Sequence, residues 1–512
     1  MNKRIQRLGM VIALLFSAVF VQLNNIQIRQ AEALDNDPRN YRAITRAFNR
    51  PRGQIVTRDG VIIAKTDPSD GQISWQRSYP QGELYAHVTG YFSLNFGASG
   101  LEQSYNDQLV GSQRDATDLA DYFADRTVVN NLTTTIDSAI QEVARAALVD
   151  ATGATQRGSV VAIDPRTGAL LAMYSNPTYD PNPLASHDDK IVRSAKTGLD
   201  TDPNKPTLAR SYQETYAPGS TMKVVTASAA YERAPELTTK TYPVTSSITL
   251  PGTGGRQLGN FGGSSCGGKI DDLMRVSCNT GFAQMGLDMG ADALVGEAND
   301  YGFDQSMPID LPRAAQSDFP SVDELNANPP FLALSAIGQG NVRATPLQMC
   351  LVAASVANSG RIMTPYLREE IRNNNGAIVQ SAVPSPWRDA TSAATAGNIR
   401  ELMIDVVNSG TARRVAIPGV QVAAKTGTAE TGVKDRDNAW LIAFAPAEAP
   451  TVAIAVFVEQ AGSDEGGSGF TGGRTAAPIA KQVLQVALER QRIQDQRNAQ
   501  LVANNTTTSP NP

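Results

Sequence analysis

Three apolar segments near the C-terminal end of the chain, residues 420–428, 439–445 and 451–459, follow one another with only turn residues between them. Connections this short join antiparallel neighbours, because a parallel crossover takes about a dozen residues or more. The segments therefore predict an antiparallel meander. Residues 158–173 predict a further hairpin, with apolar strands on either side of Asp164-Pro165-Arg166-Thr167-Gly168, and this hairpin opens a second domain. Between the two strand groups the chain is rich in Ala and Leu. Helices are expected at 270–289 and 346–358, and a final one at 476–491.

The 512 residues leave room for two or more domains with full cores. A net charge of −5 gives no basis for nucleic-acid binding. His87 and His187 are the only histidines, and neither has a ligand pattern around it, so no His-based metal site is expected. The same scarcity argues against a Ser-His-Asp hydrolase.

At the N-terminus, Lys3, Arg4 and Arg7 precede an uncharged run from 8 to 21, extended by Leu23 and Ile26. A signal anchor over 8–26 is the favoured reading, with 1–7 in the cytoplasm and the rest outside. A cleaved signal is the alternative. Ala31-Glu32-Ala33 resembles a cleavage site, but polar residues separate it from the apolar run. Either reading places the remainder outside the cytoplasm and argues against ATP-dependent chemistry. Residues 35–145 carry a hairpin about Arg58-Asp59-Gly60, a short helical stretch from Gly100, a Thr-rich strand at 132–136 and a helix capped by Asp137. No catalytic constellation is visible there, so this is read as a smaller, mostly β, non-catalytic module.

The chemistry begins at Tyr216-Ala217-Pro218-Gly219-Ser220-Thr221-Met222-Lys223. Pro218-Gly219 punctuates the backbone and 221–231 reads as a helix, so Ser220 sits near its start with Lys223 on the same face. An amine one turn away can activate a serine hydroxyl if burial or nearby positive charge lowers its pKa. Alone, Ser-x-x-Lys is a weak signal, and a capped helix with a solvated lysine accounts for it equally well. Ser277-Cys278-Asn279 and Lys425-Thr426-Gly427-Thr428 follow downstream.

Ser-x-x-Lys, Ser-x-Asn and Lys-Thr-Gly in this order resemble the motifs of penicillin-binding proteins and serine β-lactamases. Gly53 to Ala64, Gly100 to Asn106, Gly338-Gln339-Gly340, Ala344-Thr345-Pro346, Asn438-Ala439-Trp440 and Gly472-Gly473 resemble class B penicillin-binding proteins, and within them the actinobacterial penicillin-binding protein A subgroup. The resemblance implies an α+β fold, with a transpeptidase domain over 146–491 built as an antiparallel sheet flanked by helices plus an all-helical lobe. The non-catalytic module of 35–145 would precede it and a flexible tail, 492–512, would follow.

The implied reaction is acyl transfer at a D-alanyl-D-alanine bond, without a cofactor. Ser220 would attack, Lys223 would take its proton, and Ser277 would relay a proton to the leaving D-Ala. Asn279 would hold the substrate backbone. Lys425, Thr426 and Thr428 would hold the terminal carboxylate, and the N–H groups of Ser220 and Thr428 would stabilise the oxyanion. Gly427 would clear space for a peptide against the strand edge. An amine of a neighbouring stem peptide would then take the acyl group. The implied partners are stem peptides, β-lactams and a polytopic membrane glycosyltransferase, and the implied setting is wall synthesis for division and cell shape.

Lys196-Thr197-Gly198, Ser93-Leu94-Asn95 and Ser104-Tyr105-Asn106 also match motif fragments, but all lie before Ser220. Gly263-Ser264-Ser265-Cys266-Gly267 spells a hydrolase elbow with no strand entering it and no histidine downstream. A β-lactamase would need a carboxylate placed for deacylation, and no such motif is evident. A sensor would need more cytoplasmic sequence, and a scaffold would tolerate loss of a motif. Cys266 and Cys278 could close a small loop outside the cytoplasm, contributing about 3 kcal/mol, or could remain two reduced small residues. Cys350, in an apolar run, is expected to be a buried thiol.

Overall fold

The computed structural model describes residues 2–26, 48–71, 73–110, 112–113, 127–431, 436–461 and 471–507. The Ala31-Glu32-Ala33 segment, residues 35–47 and the last five residues of the tail lie outside the described residues.

Helix α1 (Asn2–Asn24) is long and apolar enough to cross a membrane, a test that signal sequences also pass. Strands β1 (Ile55–Val56), β2 (Ile62–Pro68) and β3 (Trp75–Ser78) follow, with β1 and β2 joined through Arg58-Asp59-Gly60 as expected. Strand β4 (Asn130–Thr134) leads into helix α2 (Ser138–Thr152). The Asp137 carboxylate caps α2 by accepting the N–H groups of Ala139 and Ile140 at 3.0 and 3.3 Å. Hairpin strands β5 (Gly158–Ile163) and β6 (Leu170–Asn176) come next.

The 3₁₀ turn Gly219–Met222 runs into helix α3 (Lys223–Arg233). Helices α4 (Ile270–Val276) and α5 (Asn279–Met289) occupy the stretch expected to be one helix. The break has a local cause: Ser277 adopts the left-handed region (φ 60°, ψ 45°) and ends α4. Helix α6 (Pro346–Ala357) is apolar all round and buried from Pro346 to Val356. Such a helix has no solvent face, and it packs across the sheet against β5 and the C-terminal strands.

Strands β7 (Arg368–Asn373) and β8 (Ile378–Ser381), helix α7 (Ala393–Asn408), strands β9 (Ala423–Ala429), β10 (Asn438–Ala445) and β11 (Val452–Val458), and helix α8 (Ala477–Thr507) complete the frame. The central sheet has the order β6-β5-β11-β10-β9 and is antiparallel throughout. The expected meander thus joins the expected hairpin in one sheet, with α2 and α8 packed on each other and on it. Strand β9 is its edge.

A second sheet has the order β8-β7-β4-β1-β2-β3. Its strands come from 55–78, 130–134 and 368–381, so β7 and β8 return from the later part of the chain to complete it. Within this module Arg52 and Arg77 clamp the fully buried Glu102, with Nε···O distances of 2.5 and 2.6 Å. The last helix continues beyond 491 to Thr507, through a stretch free of Gly and Pro and well supplied with Gln, Ala and Arg.

Candidate active site

The fold brings the three separated motifs to one cleft at the β9 edge. Gly219 is the pivot. Its φ of +54° suits glycine, and its N–H donates to Gly338 O at 2.9 Å. A Cβ there would lie 2.5 Å from Thr428 O. Only a glycine lets the Ser220 turn close onto β9.

Ser220 lies in the 3₁₀ turn and lines the cleft, and Lys223 opens α3 one turn later. Lys223 is fully buried. Its Nζ is 2.8 Å from Ser277 O, 2.7 Å from Asn279 Oδ1 and 3.3 Å from Ser277 Oγ. Lys425, also fully buried, donates from Nζ to Ser277 Oγ at 2.8 Å and to Thr426 O at 2.9 Å. Among the described residues no carboxylate pairs with either amine. Burial, and then the Lys425 charge, push the Lys223 amine well below the ordinary lysine range. Burial lowers Lys425 to about 7.

These contacts define a direction for protons. A neutral Lys223 amine has two N–H groups and one lone pair. Ser277 O and Asn279 Oδ1 accept the two N–H groups. Lys425 donates to Ser277 Oγ, which leaves the Ser277 O–H to donate into the cleft and the Lys223 lone pair to accept a proton. The order Lys425, Ser277, Lys223 is a hydrogen-bonded relay ending one helical turn from Ser220.

Asn279 is fixed on its other side, where Nδ2 donates to Gly259 O at 3.2 Å. Cys266 and Cys278 are joined in a disulfide with a Cα–Cα distance of 5.8 Å. The bond ties the Gly-rich 252–268 segment to the residue between Ser277 and Asn279. Cys350 is a buried free thiol, as expected.

On β9, Thr426 and Thr428 line the cleft. The expected role of Gly427 needs correction. A Cβ at this position would lie 2.9 Å from Thr221 Cγ2 and 2.9 Å from Trp440 Cβ, which is inward. Gly427 therefore serves close packing beneath the Ser220 turn, not clearance for a peptide. Trp440, opposite Gly427 in register, donates from Nε1 to Ala217 O at 3.0 Å and holds the same turn.

The cleft measures about 1220 Å³. Arg256, Arg343, Arg413, Arg414 and Arg474 line it against Glu430 and Asp437, a basic balance in an acidic protein that favours an anionic ligand. Phe261 and Phe331 give it an apolar side. Thr411 also lines it, with Oγ1 2.5 Å from Thr426 Oγ1. No sequence motif marks Thr411, which reaches the site only through the packing of α7 beside β9. Of the upstream fragments, Lys196-Thr197-Gly198 lies inside the helix Asp189–Thr201, and Ser104-Tyr105-Asn106 lies in the N-terminal module.

The family model described as the penicillin binding protein transpeptidase domain matches residues 158–485. The chain belongs to the penicillin-binding protein transpeptidase family. It is a penicillin-binding transpeptidase, of the enzyme class of the peptidoglycan D,D-transpeptidases. A second family model, the penicillin binding protein A dimerisation domain, matches residues 52–129.

Peptidoglycan D,D-transpeptidase PbpA of Mycolicibacterium smegmatis is 38% identical over 503 residues, covering 95% of this chain and 99% of that protein. The structure of penicillin-binding protein A from M. tuberculosis as an imipenem acyl-enzyme complex aligns with a TM-score of 0.79 at 38% identity. It covers 86% of this chain and 100% of the other. The D,D-transpeptidase domain of a peptidoglycan glycosyltransferase from Eggerthella lenta aligns at 0.74 and 34% identity, covering 86% and 99%.

Proposed function

We propose that this penicillin-binding transpeptidase cross-links peptidoglycan stem peptides through an acyl-enzyme on Ser220. The Lys425–Ser277–Lys223 contact chain, ending one helical turn from the cleft-lining Ser220, is the observation that carries this reading, because burial, and then the Lys425 charge, push the Lys223 amine toward its neutral form. Lys223 takes the proton as Ser220 Oγ bonds to the carbonyl carbon of the penultimate D-Ala. The N–H groups of Ser220 and Thr428 receive the oxyanion. Ser277 passes a proton to the nitrogen of the terminal D-Ala, the C–N bond breaks, and D-Ala leaves. An amine of a neighbouring stem peptide then attacks the ester, forming the cross-link and freeing Ser220. Asn279 holds the donor backbone, while Lys425, Thr426 and Thr428 hold its terminal carboxylate.

A β-lactam presents the same carbonyl and carboxylate, and the related M. tuberculosis protein is known as imipenem, ceftriaxone and penicillin G acyl-enzymes. In this reading residues 8–26 anchor the chain in the cell membrane with the site outside the cytoplasm. Residues 35–145 form a non-catalytic module, and a polytopic glycosyltransferase supplies the glycan strands. The setting is wall synthesis for division and cell shape. The test is turnover of a D-Ala-D-Ala stem peptide with an amine acceptor. Release of D-Ala matched by cross-linked product, abolished in Ser220→Ala, supports the reading. Turnover that persists in Ser220→Ala refutes it.

A further inference from the structure

Thr411 belongs to none of the three motifs, yet its segment touches two of them. A Cβ on Gly410 would lie 2.2 Å from Arg275 O, in the last turn of α4 before Ser277. A Cβ on Gly473 would lie 2.5 Å from Thr411 O. Thr411 is thus wedged between the end of the Ser277 helix and the backbone crossing beside β9. Its hydroxyl is on the cleft side, 2.5 Å from that of Thr426.

Two hydroxyls at this distance share one hydrogen. Each threonine has one O–H, so one is used within the pair and the other remains to donate into the cleft. The Thr426 hydroxyl has little freedom otherwise, because Thr426 is nearly buried. A Thr411 O–H directed at Thr426 Oγ1 turns the Thr426 O–H toward the ligand, and a donor that is itself an acceptor is strengthened. The opposite arrangement would leave the Thr411 O–H as the donor. Both leave one O–H of the pair to donate into the cleft.

We propose that Thr411 is a positioning residue for the substrate carboxylate, acting as a pair with Thr426. The inference rests on the Ser220 acyl-enzyme reading and extends its carboxylate site by one residue. It predicts a selective defect: ligands with a free carboxylate lose recognition in Thr411→Val, and neutral analogues do not.

The experiment measures the second-order rate of acylation by benzylpenicillin and by its methyl ester. The proteins are wild type, Thr411→Val and Thr411→Ser, each first shown to unfold at the same temperature. A hydrogen bond to a charged group sets the scale at roughly tenfold to a hundredfold. Thr411→Val is expected to lose about that factor with the acid, to change little with the ester, and to be rescued by Thr411→Ser. An equal loss with acid and ester, or no loss with the acid, overturns the proposal and leaves the Ser220 reading standing. Absence of any adduct on wild-type Ser220 overturns both.

Discussion

Lys425 Nζ lies 2.8 Å from Ser277 Oγ, and that contact joins the second and third motifs across 148 positions of sequence. It also leaves Ser277 with one hydrogen to offer. Replacing Ser277 with alanine removes the middle of the relay while leaving both amines in place. Transpeptidation by Ser277→Ala is expected to fall by about 10²–10⁴-fold, the usual worth of a positioned proton donor. A kcat within a few-fold of wild type would remove Ser277 from the proton path.

The two lysines set a pH dependence. On the proposed mechanism acylation uses neutral Lys223, so kcat/KM is expected to rise with pH through the depressed pKa of that amine. On the same mechanism carboxylate binding uses charged Lys425, so kcat/KM is expected to fall as pH passes about 7. Burial is the larger cause of the Lys223 shift and the Lys425 charge the smaller. Lys425→Ala should therefore move the acid limb upward only in part, besides lowering the overall rate. An acid limb that stays in place or moves down would show that Lys425 does not act on Lys223.

Glu102 tests the N-terminal module. Burial would raise its pKa, but the charges and hydrogen bonds of Arg77 and Arg52 outweigh burial and hold it below the ordinary value. A group with a lowered folded pKa stabilises above its unfolded pKa and loses that contribution as pH falls through the folded one. Glu102→Ala leaves two buried arginines without their carboxylate and is expected to cost about 3–5 kcal/mol. Denaturant unfolding at neutral pH checks this, with the difference from wild type narrowing in acid. A loss below about 1 kcal/mol would place the clamp among interactions of surface strength.

Gly427→Ala should act on the nucleophile rather than on substrate clearance. The added methyl meets Thr221, Trp440 and the Pro218 carbonyl at 2.9–3.0 Å. Overpacking of this kind costs about 1–3 kcal/mol. The melting temperature and the acylation rate should fall together. A lower affinity for peptide with unchanged stability would restore the strand-edge role.

Double replacement Cys266→Ser, Cys278→Ala removes a cross-link between residues 12 apart. About 3 kcal/mol of stability should go with it by the loop-closure argument. Equilibrium unfolding of the variant and of wild type, with and without reductant, reads it directly. Wild-type stability that ignores the reductant, and equals that of the variant, would contradict a structural bond.

The residues that the fold gathers at the cleft were legible because they are held in short stretches. Ser220 and Lys223 need only one turn between them, and the β9 strand spells its own pattern of burial. Features made by distant chain segments were not legible. Nothing in 368–381 announces that β7 and β8 complete the sheet begun at Ile55, because the pairing of β7 with β4 across about 240 residues leaves no local trace. The break at Ser277 was hidden because a serine does not ordinarily mark a left-handed residue. Gly427 was assigned to the wrong side of its strand because sequence gives the alternation of a strand but not which face meets Thr221 and Trp440. Thr411 carries no signal at all outside its contact with Thr426.

The measurement that bears most directly on Ser220 as the nucleophile is the intact mass of the protein after incubation with a penicillin, followed over hours beside Ser220→Ala. A stable gain of one drug mass is expected on the wild type, located to the Ser220 peptide and missing from the variant. An adduct retained by Ser220→Ala, or a rapid return to the free mass with drug consumed, would contradict a slowly deacylating Ser220 transpeptidase.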